Sequence, residues 1–457
     1  MSVQTTYPGI YIEEDASLSL SINNSPTAVP VFIGKFYNLD GSLPEVGICS
    51  RITSWLDFTK KFSVAPPQTI SLIASPIANT QESVPKAVQY TYKAEYETSE
   101  SLANGAYAVQ HYFQNGGGIC YVIPLVSVKK EDAAIELAKL PELIERQQEI
   151  TLIVCPEDDK TLTVDGSKKS DVYNSINTLL SNKVGYFLIA DSDDGKAVPN
   201  TLPEKTAVYH PGLITSFTQR YAKPADSAVK VTGITNISTL ADIHTNLADD
   251  YPIASQVIND VLEKNNKLAS SPIILPPSAA VAGAYAAVDV SRGVWKAPAN
   301  VMLSNATPII SISDAEQGVM NPLGINAIRS FTGRGTLIWG ARTLDKTDNW
   351  RYVPVRRLFN SAERDIKRAM RFAVFEPNSQ PIWEKVKAAI NSYLQSLWQQ
   401  GALQGNKPDE AWFVQIGKGV TMTDDDIKNG RMIIKIGMAA VRPAEFIILQ
   451  FTQNIAQ

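Results

Sequence analysis

The 457-residue sequence has little of the chemistry that marks an enzyme or a metalloprotein. Its three histidines follow no ligand spacing, and its three cysteines, Cys49, Cys120 and Cys155, are far apart and form no C-x-x-C pair. An odd number of scattered cysteines favours buried free thiols in a reducing compartment over zinc ligands or disulfides. The sequence therefore predicts no metal, no cofactor and synthesis in a cytoplasm.

Signals for membrane insertion, export and nucleotide binding are also missing. No apolar run approaches the length of a membrane span, and the N-terminus lacks a basic start followed by an apolar core. Gly333-Arg334-Gly335 lacks the G-x-x-x-x-G-K-[ST] frame of a phosphate loop. Thr423, followed by three aspartates, indicates a capped helix start rather than a calcium loop. A hydrolase-like α/β enzyme with an unrecognised site and a monomeric binding module remain as alternatives.

What is present is the composition of a folded α/β protein. Hydrophobic residues make up 44% and charged residues 19% of the chain, which is ordinary for a globular protein. The length predicts two or three domains. Apolar runs at 28–34, 119–124, 149–155 and 184–190 are separated by helical stretches, which indicates an α/β layer. Residues 64–101, rich in Pro, Ser, Thr and Gln, are interpreted as an insertion or a long loop.

The net charge of -4 is unevenly distributed along the chain. Residues 329–371 contain 11 Lys and Arg against 4 Asp and Glu, whereas residues 131–270 contain 21 acidic against 13 basic residues. The first segment could meet an anionic partner. The second is typical of a solvated outer surface.

Both chain ends carry short apolar segments with the character of strands. Leu18, Leu20 and Ile22 alternate with serines, which is the period of a strand with one apolar face. Residues 446–452 form a second predicted strand near the C-terminus, with Phe446, Ile448 and Gln450 at alternate positions. A terminal strand can add to the sheet of another chain. It can equally be an edge strand of its own domain, and the residues alone leave both readings open.

A basic stripe follows one face of a predicted helix. Asn360 and Glu363 predict a helix start, and the helix is expected to run to about Val374. The stripe consists of four residues at i, i+3, i+4 and i+7: Arg364, Lys367, Arg368 and Arg371. It can be a solvated face, a nucleic-acid site or a contact for an acidic protein surface. A sequence pI of about 5.6 argues against nucleic acid, and we favour the protein contact because such contacts hold reversibly.

The most informative motif is Asp289–Asn300, which predicts a surface turn built from Gly293 and Pro298 around Trp295. Together with other motifs spread over the chain, it resembles the contractile tail sheath proteins of phage tails, R-type bacteriocins and extracellular injection particles. The other motifs are Tyr7–Glu14, Asn115–Val122, Pro276–Ser278 with Ala282–Gly283, Gly333–Gly335, Trp339–Thr343 and Arg442–Phe446. Within the turn, the residues that carry the resemblance are Arg292, Gly293, Trp295, Lys296, Pro298 and Asn300.

The resemblance implies a multi-domain α/β tail-sheath fold with extended arms at both termini. Residues 1–27 would form the N-terminal linking arm and 28–280 an outward-facing middle region that includes the insertion near 64–101. Residues 281–457 would form the C-terminal domain for sheath assembly and tube contact, ending in a linking strand. The same resemblance favours exchange for Leu18, Leu20, Ile22, Phe446, Ile448 and Gln450, and an inner tube as the partner of the basic stripe.

The implied function is structural rather than enzymatic. The subunit would form a helical sleeve of stacked hexameric rings around an inner tube, assembled in an extended metastable state, and contract to drive the tube through a target cell envelope. The implied partners are further copies of the chain, the inner tube protein, baseplate and tail-terminator proteins and, as further candidates, sheath paralogues. Neither nucleic acid nor direct membrane insertion is implied. The protein would be made in a bacterial cytoplasm and become part of a phage tail or a released tail-like particle.

Overall fold

The structure is a computed structural model that describes residues 22–77, 89–96, 103–126, 130–162, 168–268 and 271–446. Of the arm residues, Leu18, Leu20, Ile448 and Gln450 lie outside this range, while Ile22 and Phe446 lie at its two ends. Among the described residues, no helix is long and apolar enough to cross a membrane.

The described residues form seventeen strands and thirteen α-helices. The strands are β1 Pro30–Gly34, β2 Ser50–Ile52, β3 Ile70–Pro76, β4 Tyr90–Tyr96, β5 Cys120–Pro124, β6 Leu152–Val154, β7 Phe187–Asp191, β8 Thr206–His210, β9 Leu213–Thr218, β10 Lys230–Thr232, β11 Pro272–Leu275, β12 Val301–Met302, β13 Thr307–Pro308, β14 Ile325–Phe331, β15 Gly335–Ile338, β16 Trp412–Ile416 and β17 Ile434–Met438. The helices are α1 Trp55–Lys61, α2 Gly105–Gln114, α3 Lys130–Arg146, α4 Asp159–Leu162, α5 Lys169–Asn182, α6 Leu240–Asn246, α7 Tyr251–Leu268, α8 Ser278–Arg292, α9 Asp314–Met320, α10 Val353–Ala369, α11 Gln380–Gln399, α12 Pro408–Ala411 and α13 Asp424–Lys428.

The chain divides into two compact units. The larger unit contains the described residues 26–360 and 442–446, and the smaller unit contains residues 22–25 and 361–441. The larger unit is built on a nine-stranded sheet of order β12-β15-β14-β8-β7-β6-β1-β5-β2. Its six central strands, from β14 to β5, pair in parallel, and β2 and β15 pair antiparallel at the two sides. This confirms the predicted α/β class.

The central strands are apolar on both faces because helices cover both sides of the sheet. In β1, Phe32 joins a core with residues of α2 and α8. Its neighbours Val31 and Ile33 face the opposite way and pack with residues of α3 and α5. All four predicted apolar runs are therefore core strands: β1, β5, β6 and β7.

The region 64–101, interpreted as an insertion or a long loop, contributes strands β3 and β4 to a folded module. Strand β3 pairs antiparallel with β4 and in parallel with β10. In β3, Ile70, Leu72 and Ala74 are buried while Ser71 and Ser75 are not. The side chains of Ile70 and Leu72 share a core with residues of α6 and α7. The alternation of a half-buried strand was present in the sequence, but Pro, Ser and Thr residues obscured it.

The smaller unit packs a two-stranded antiparallel sheet, β16 with β17, against helix α11. The sequence predicts a helix from about Pro381 to Gln399 with a buried stripe of Trp383, Val386, Ile390, Tyr393, Leu394 and Leu397. Helix α11 buries the last five of these residues together with Ala389, while Trp383 is half-buried. Proline lies in the first turn of this helix, and Gly401 lies beyond its end with a φ of 81°. Thr423 caps α13 through a reciprocal bond with Asp426, which confirms the capped start.

Helix α10 begins earlier and ends earlier than predicted. It starts at Val353, continues to Ala369 and passes into a 3-10 turn at Met370–Ala373. Asn360, taken from the sequence as a cap, lies within the helix and is buried. Its side chain accepts a hydrogen bond from Arg356 Nε and donates one to the Tyr186 carbonyl. The i−4 bond from Arg356 and the tertiary bond to Tyr186 explain a cap-type residue in mid-helix.

Candidate assembly surfaces

The motif Asp289–Asn300 forms the end of helix α8 and the turn that follows it. Gly293 has a φ of 87°, a conformation that favours glycine, and its N–H donates to the Asp289 carbonyl. The half-buried indole of Trp295 lies over this glycine so closely that a Cβ at position 293 would overlap the ring. The predicted turn around Trp295 is therefore present, and the glycine is required both by its backbone and by the indole.

Asp289, the first residue of the motif, forms a buried ion pair with Arg357 of α10. The Arg357 Nη2 to Asp289 Oδ2 distance is 2.6 Å, Nη1 to Oδ1 is 3.0 Å, and the two side chains are 2% and 4% exposed. The guanidinium also lies over the ring of Tyr285, 4.6 Å from its centroid. Thr27 completes the group, since its hydroxyl donates to Asp289 and its carbonyl accepts from Arg357 at 3.1 Å. The motif thus fixes the chain where the described N-terminal segment enters the larger unit.

A second group of motif residues meets where helix α2 packs on α8. The backbone of Tyr112 in α2 approaches Gly283 of α8 so closely that any side chain there would collide with the Tyr112 carbonyl. At the end of α2, the side chain of Asn115 accepts from the Ser304 N–H at 2.8 Å. The motifs Asn115–Val122 and Ala282–Gly283 therefore act in packing.

Three motifs line one open groove of about 620 Å³ in the larger unit. Lys296 and Asn300 come from the turn, Trp339 from Trp339–Thr343, and Glu445 and Phe446 from the last motif. We call this the signature groove. The side chain of Phe446, the last described residue, is exposed.

Glu445 fastens the last described segment to the wall of this groove. Its carboxylate accepts from Arg342 Nη2 at 2.6 Å and Nε at 2.9 Å, from Asn321 Nδ2 at 2.9 Å and from the Tyr352 hydroxyl at 3.2 Å. Burial alone would raise the pKa of Glu445, but the hydrogen bonds from Arg342 and Asn321 outweigh it and hold the pKa below its ordinary value. Burial, and then the nearby Glu445 charge, raise the pKa of Tyr352, which stays a proton donor.

Sequence reasoning found the motifs that contain Arg342 and Glu445 but did not pair them. The two residues are 103 positions apart, and Asp289 and Arg357 are 68 apart. The available signal was an arginine in one motif and a glutamate in another, which does not specify a contact.

The basic stripe lies at the end of α10 and in the 3-10 turn after it. Lys367, Arg368 and Arg371 are exposed, whereas Arg364 is half-buried. The Arg368 guanidinium donates to the Ser25 hydroxyl at 3.2 Å, so this residue has a partner within its own subunit. The structure thus places three of the four residues on the surface.

The charge imbalance along the chain overstates the surface charge. Arg356 and Arg357 are buried, and Arg342 is bound to Glu445. In the acidic segment, Glu157 is buried and accepts backbone N–H groups from Lys35, Asn104 and Gly105. Asp191, also in this segment, forms a buried ion pair with Lys169 at 2.6 Å and accepts from Ser278. The interpretation of residues 131–270 as wholly solvated was therefore wrong for these carboxylates.

The sheet β16–β17 exposes an apolar residue and two strand edges. Val414 and Ile416 face inward, but the side chain of Phe413 is 53% exposed. Among the described residues, each of the two strands has only the other as its sheet partner. A two-stranded sheet of this kind can accept further strands.

Among residues of catalytic or ligating type, His111 and Cys155 are buried in the core. His111 is buried in α2, where Nε2 lies 3.0 Å from the Ser304 carbonyl and the ring meets the edge of Phe217. Burial raises the pKa of Cys49 and of Cys155 to about 12, so neither thiol is activated. Gly333–Gly335 forms the turn between the antiparallel strands β14 and β15, not a strand-to-helix phosphate loop. The described ranges contain no group of three residues arranged to hold a metal ion.

Comparison with known proteins agrees with this structural role. Residues 231–344 match the phage tail sheath protein central domain, and residues 345–454 match the phage tail sheath C-terminal domain. A chain in the structure of the anti-feeding prophage helical sheath, in its contracted state, is 40% identical to this chain. The match covers 98% of this chain and 100% of that one, with a TM-score of 0.69.

A sheath chain of an extracellular contractile injection system, PVC, also in the contracted state, is 37% identical. That match covers 99% of each chain with a TM-score of 0.65. The tail sheath protein of Burkholderia phage BcepMu is 30% identical over 152 residues, which is 30% of this chain. The matched regions of the curated phage sheath proteins amount to only 20% and 30% of their lengths.

These matches define a structural subunit of a contractile particle. More narrowly, the chain belongs to the contractile tail sheath protein family, as its motifs predicted, and it is a sheath protein of the contractile injection system type.

Proposed function

We propose that the chain assembles as a helical sleeve of stacked hexameric rings around an inner tube, in an extended metastable state, and contracts to drive the tube through a target envelope. The observation that carries this is the full-length match, at 40% identity, to the anti-feeding prophage helical sheath in its contracted state. The protein acts as a structural component without catalysis. Its partners are further copies of itself, the inner tube, baseplate and tail-terminator proteins.

Electron microscopy of the purified protein, alone and with its tube protein, tests this proposal. Ribbed sleeves that are long and narrow on tubes, and short and wide without them, support it. A protein that stays monomeric at every concentration with and without tubes contradicts it and favours the binding-module alternative.

We further propose that the terminal arms link subunits by strand exchange. The sheet β16–β17 supports this because it has two strand edges that are unpaired among the described residues, together with an exposed Phe413. Arm residues Leu18, Leu20 and Ile22 from one copy, and Phe446, Ile448 and Gln450 from another, would add to such edges. Backbone hydrogen bonds would persist while packing surfaces change.

We assign tube contact to the basic stripe, with Lys367 and Arg371 as its core. Both are exposed on the smaller unit. Exposed ion pairs are individually worth roughly 0–1 kcal/mol, so a sleeve held by many of them can be positioned on a tube and still slide off it. The middle region, residues 28–280, is proposed to face outward. The close matches to the anti-feeding prophage and PVC structures favour a released tail-like particle, made in a bacterial cytoplasm, over a phage tail.

A further inference from the structure

The first described residues, 22–25, follow the N-terminal arm, and helix α10 binds them at Ser25. The Ser25 N–H donates to Asp365 Oδ1 at 3.1 Å, and Arg368 Nη1 donates to the Ser25 hydroxyl at 3.2 Å. Residues 22–25 belong to no strand, so the Ser25 N–H has no sheet partner and needs a side-chain acceptor. Asp365 supplies it.

Asp365 is an unusual residue for its position. It is only 1% exposed, yet it lies on a helix that offers apolar neighbours such as Ala362. Its other carboxylate oxygen, Oδ2, accepts from the Tyr393 hydroxyl at 3.1 Å. Burial, and then the Asp365 charge, raise the pKa of Tyr393, which therefore stays a donor. A buried carboxylate is costly unless its oxygens are satisfied, and here one oxygen is committed to the backbone that leads to the arm.

Two residues further along, the chain is bound again by α10. Arg357 Nη2 donates to the Thr27 carbonyl at 3.1 Å and is itself held by Asp289. At 100° per residue, Asp365 and Arg368 fall within about 60° of arc on α10. Asp365 and Arg368 thus bind Ser25 from one helix face, and we call these three residues the arm root.

We infer that Asp365 and Arg368 are positioning residues for the N-terminal arm, setting the direction in which it leaves to reach a neighbouring subunit. This rests on the proposed linking role of the arm. Fixing the root removes conformational freedom of residues 22–25 that the chain would otherwise lose on binding. Arg368 therefore has a different role from Lys367, its neighbour in the basic stripe, although the two look equivalent in the sequence.

Hydrogen–deuterium exchange of the unassembled subunit tests the root without any assembly. The first variant is Asp365→Asn, which removes the charge but keeps the volume. The others are Ser25→Ala, Arg368→Gln and the double variant that combines these two. Lys367→Gln is the matched control, since it removes a charge one residue away from Arg368. Asp365→Asn should raise the exchange of the peptide carrying Ser25 by about tenfold, the effect of losing one charged hydrogen bond. Lys367→Gln should leave it unchanged.

Tyr393→Phe separates positioning from loosening of the fold. It removes the other donor to Asp365 and leaves the arm-root bond in place. If it exposes the Ser25 peptide as much as Asp365→Asn does, the peptide only reports local loosening and the inference is overturned. Equal exchange in wild type and Asp365→Asn overturns it as well, whether or not the protein forms sleeves.

The second readout is the protein concentration at which sleeves form, followed by light scattering without tubes. Asp365→Asn and Arg368→Gln should raise this concentration several-fold, and the Ser25→Ala and Arg368→Gln effects should be non-additive in the double variant. If exchange rises but this concentration does not, while deletion of the arm still abolishes sleeves, the root is bound but does not position the arm. If deletion of the arm leaves sleeves intact, the linking role itself fails, and that result is separate from the exchange data.

Discussion

Replacing Glu445 by Gln should release the last described segment, residues 442–446, from the signature groove. The carboxylate accepts four hydrogen bonds, two of them from Arg342, and the two side chains of this ion pair are only 21% and 15% exposed. A hydrogen bond to a charged group contributes about 1.5–3 kcal/mol to stability. Gln keeps the shape and one acceptor oxygen, so we expect a local loss of about 2 kcal/mol, or about thirtyfold faster exchange of these amides.

A matched control is available in the exposed pair of Lys93 and Glu95, which has a similar length of 2.8 Å but side chains 75% and 50% exposed. Glu95→Gln makes the same chemical change and should have little effect on stability, because solvent screens this exposed pair. Exchange of the peptide covering residues 442–446 and its limited proteolysis are the assays. Equal effects of the two substitutions would refute the reasoning that burial and multiple donors make Glu445 a fastening residue.

The same carboxylate predicts a pH dependence with a definite sign. Because its pKa in the folded protein lies below the ordinary value of 4.5, its stabilising contribution is complete above that value. It is lost as the pH falls through the lower folded pKa. Segment release in wild type should therefore rise on acidification below about pH 4.5, while Glu445→Gln should show a smaller change across the same range.

Four further predictions follow from the proposed function and the motifs. Replacing Lys367 and Arg371 by Glu should prevent loading onto tubes in a pull-down assay while leaving the fold intact. Raised salt should weaken wild-type loading in the same direction. Normal loading of the charge-reversed variant would mean that the stripe is only a solvated face. Deleting residues 1–22 should leave a folded monomer that forms no sleeves in the electron microscope. Gly293→Ala should lower the free energy of unfolding by about 2 kcal/mol or more, from backbone strain and the indole. Gly318→Ala, with open space around it, should be neutral or slightly stabilising in the same denaturation assay. A short tag inserted at Gly166, which lies outside the described residues, should be tolerated in sleeve assembly if the middle region faces outward.

The parts of the fold that were predictable are those set by local pattern. Apolar runs gave strands β1, β5, β6 and β7, and periodicity with flanking Pro381 and Gly401 gave α11. Helix α10 was misplaced because Asn360 has the side chain of a cap but is held in mid-helix by Arg356 and Tyr186. The Tyr186 carbonyl is 174 positions away, and no local rule reports such a partner.

The candidate surfaces were predictable to a similar extent. Family resemblance located the turn at Gly293 and Trp295, and helical spacing located the basic stripe. Helical spacing could not distinguish Arg368 from Lys367, because Ser25, which Arg368 binds, is 343 positions away in the sequence. The burial of carboxylates such as Asp365 and Glu157 could not be predicted, because in the sequence they look like solvated charges.

The motif residues of this chain act mainly inside the subunit, and this bears on where partner recognition lies. Asp289 binds Arg357 and Thr27, and Glu445 binds Arg342. Gly293 leaves space for the indole of Trp295. The bonds at Thr27 and Glu445 hold the chain near its first and last described residues, which is what a subunit linked through its ends requires. Under the proposed function, recognition of a tube is assigned to exposed residues outside the motifs, Lys367 and Arg371. We infer that exchanging those exposed residues between related sheaths should change which tube is bound, whereas exchanging motif residues should alter folding and arm position.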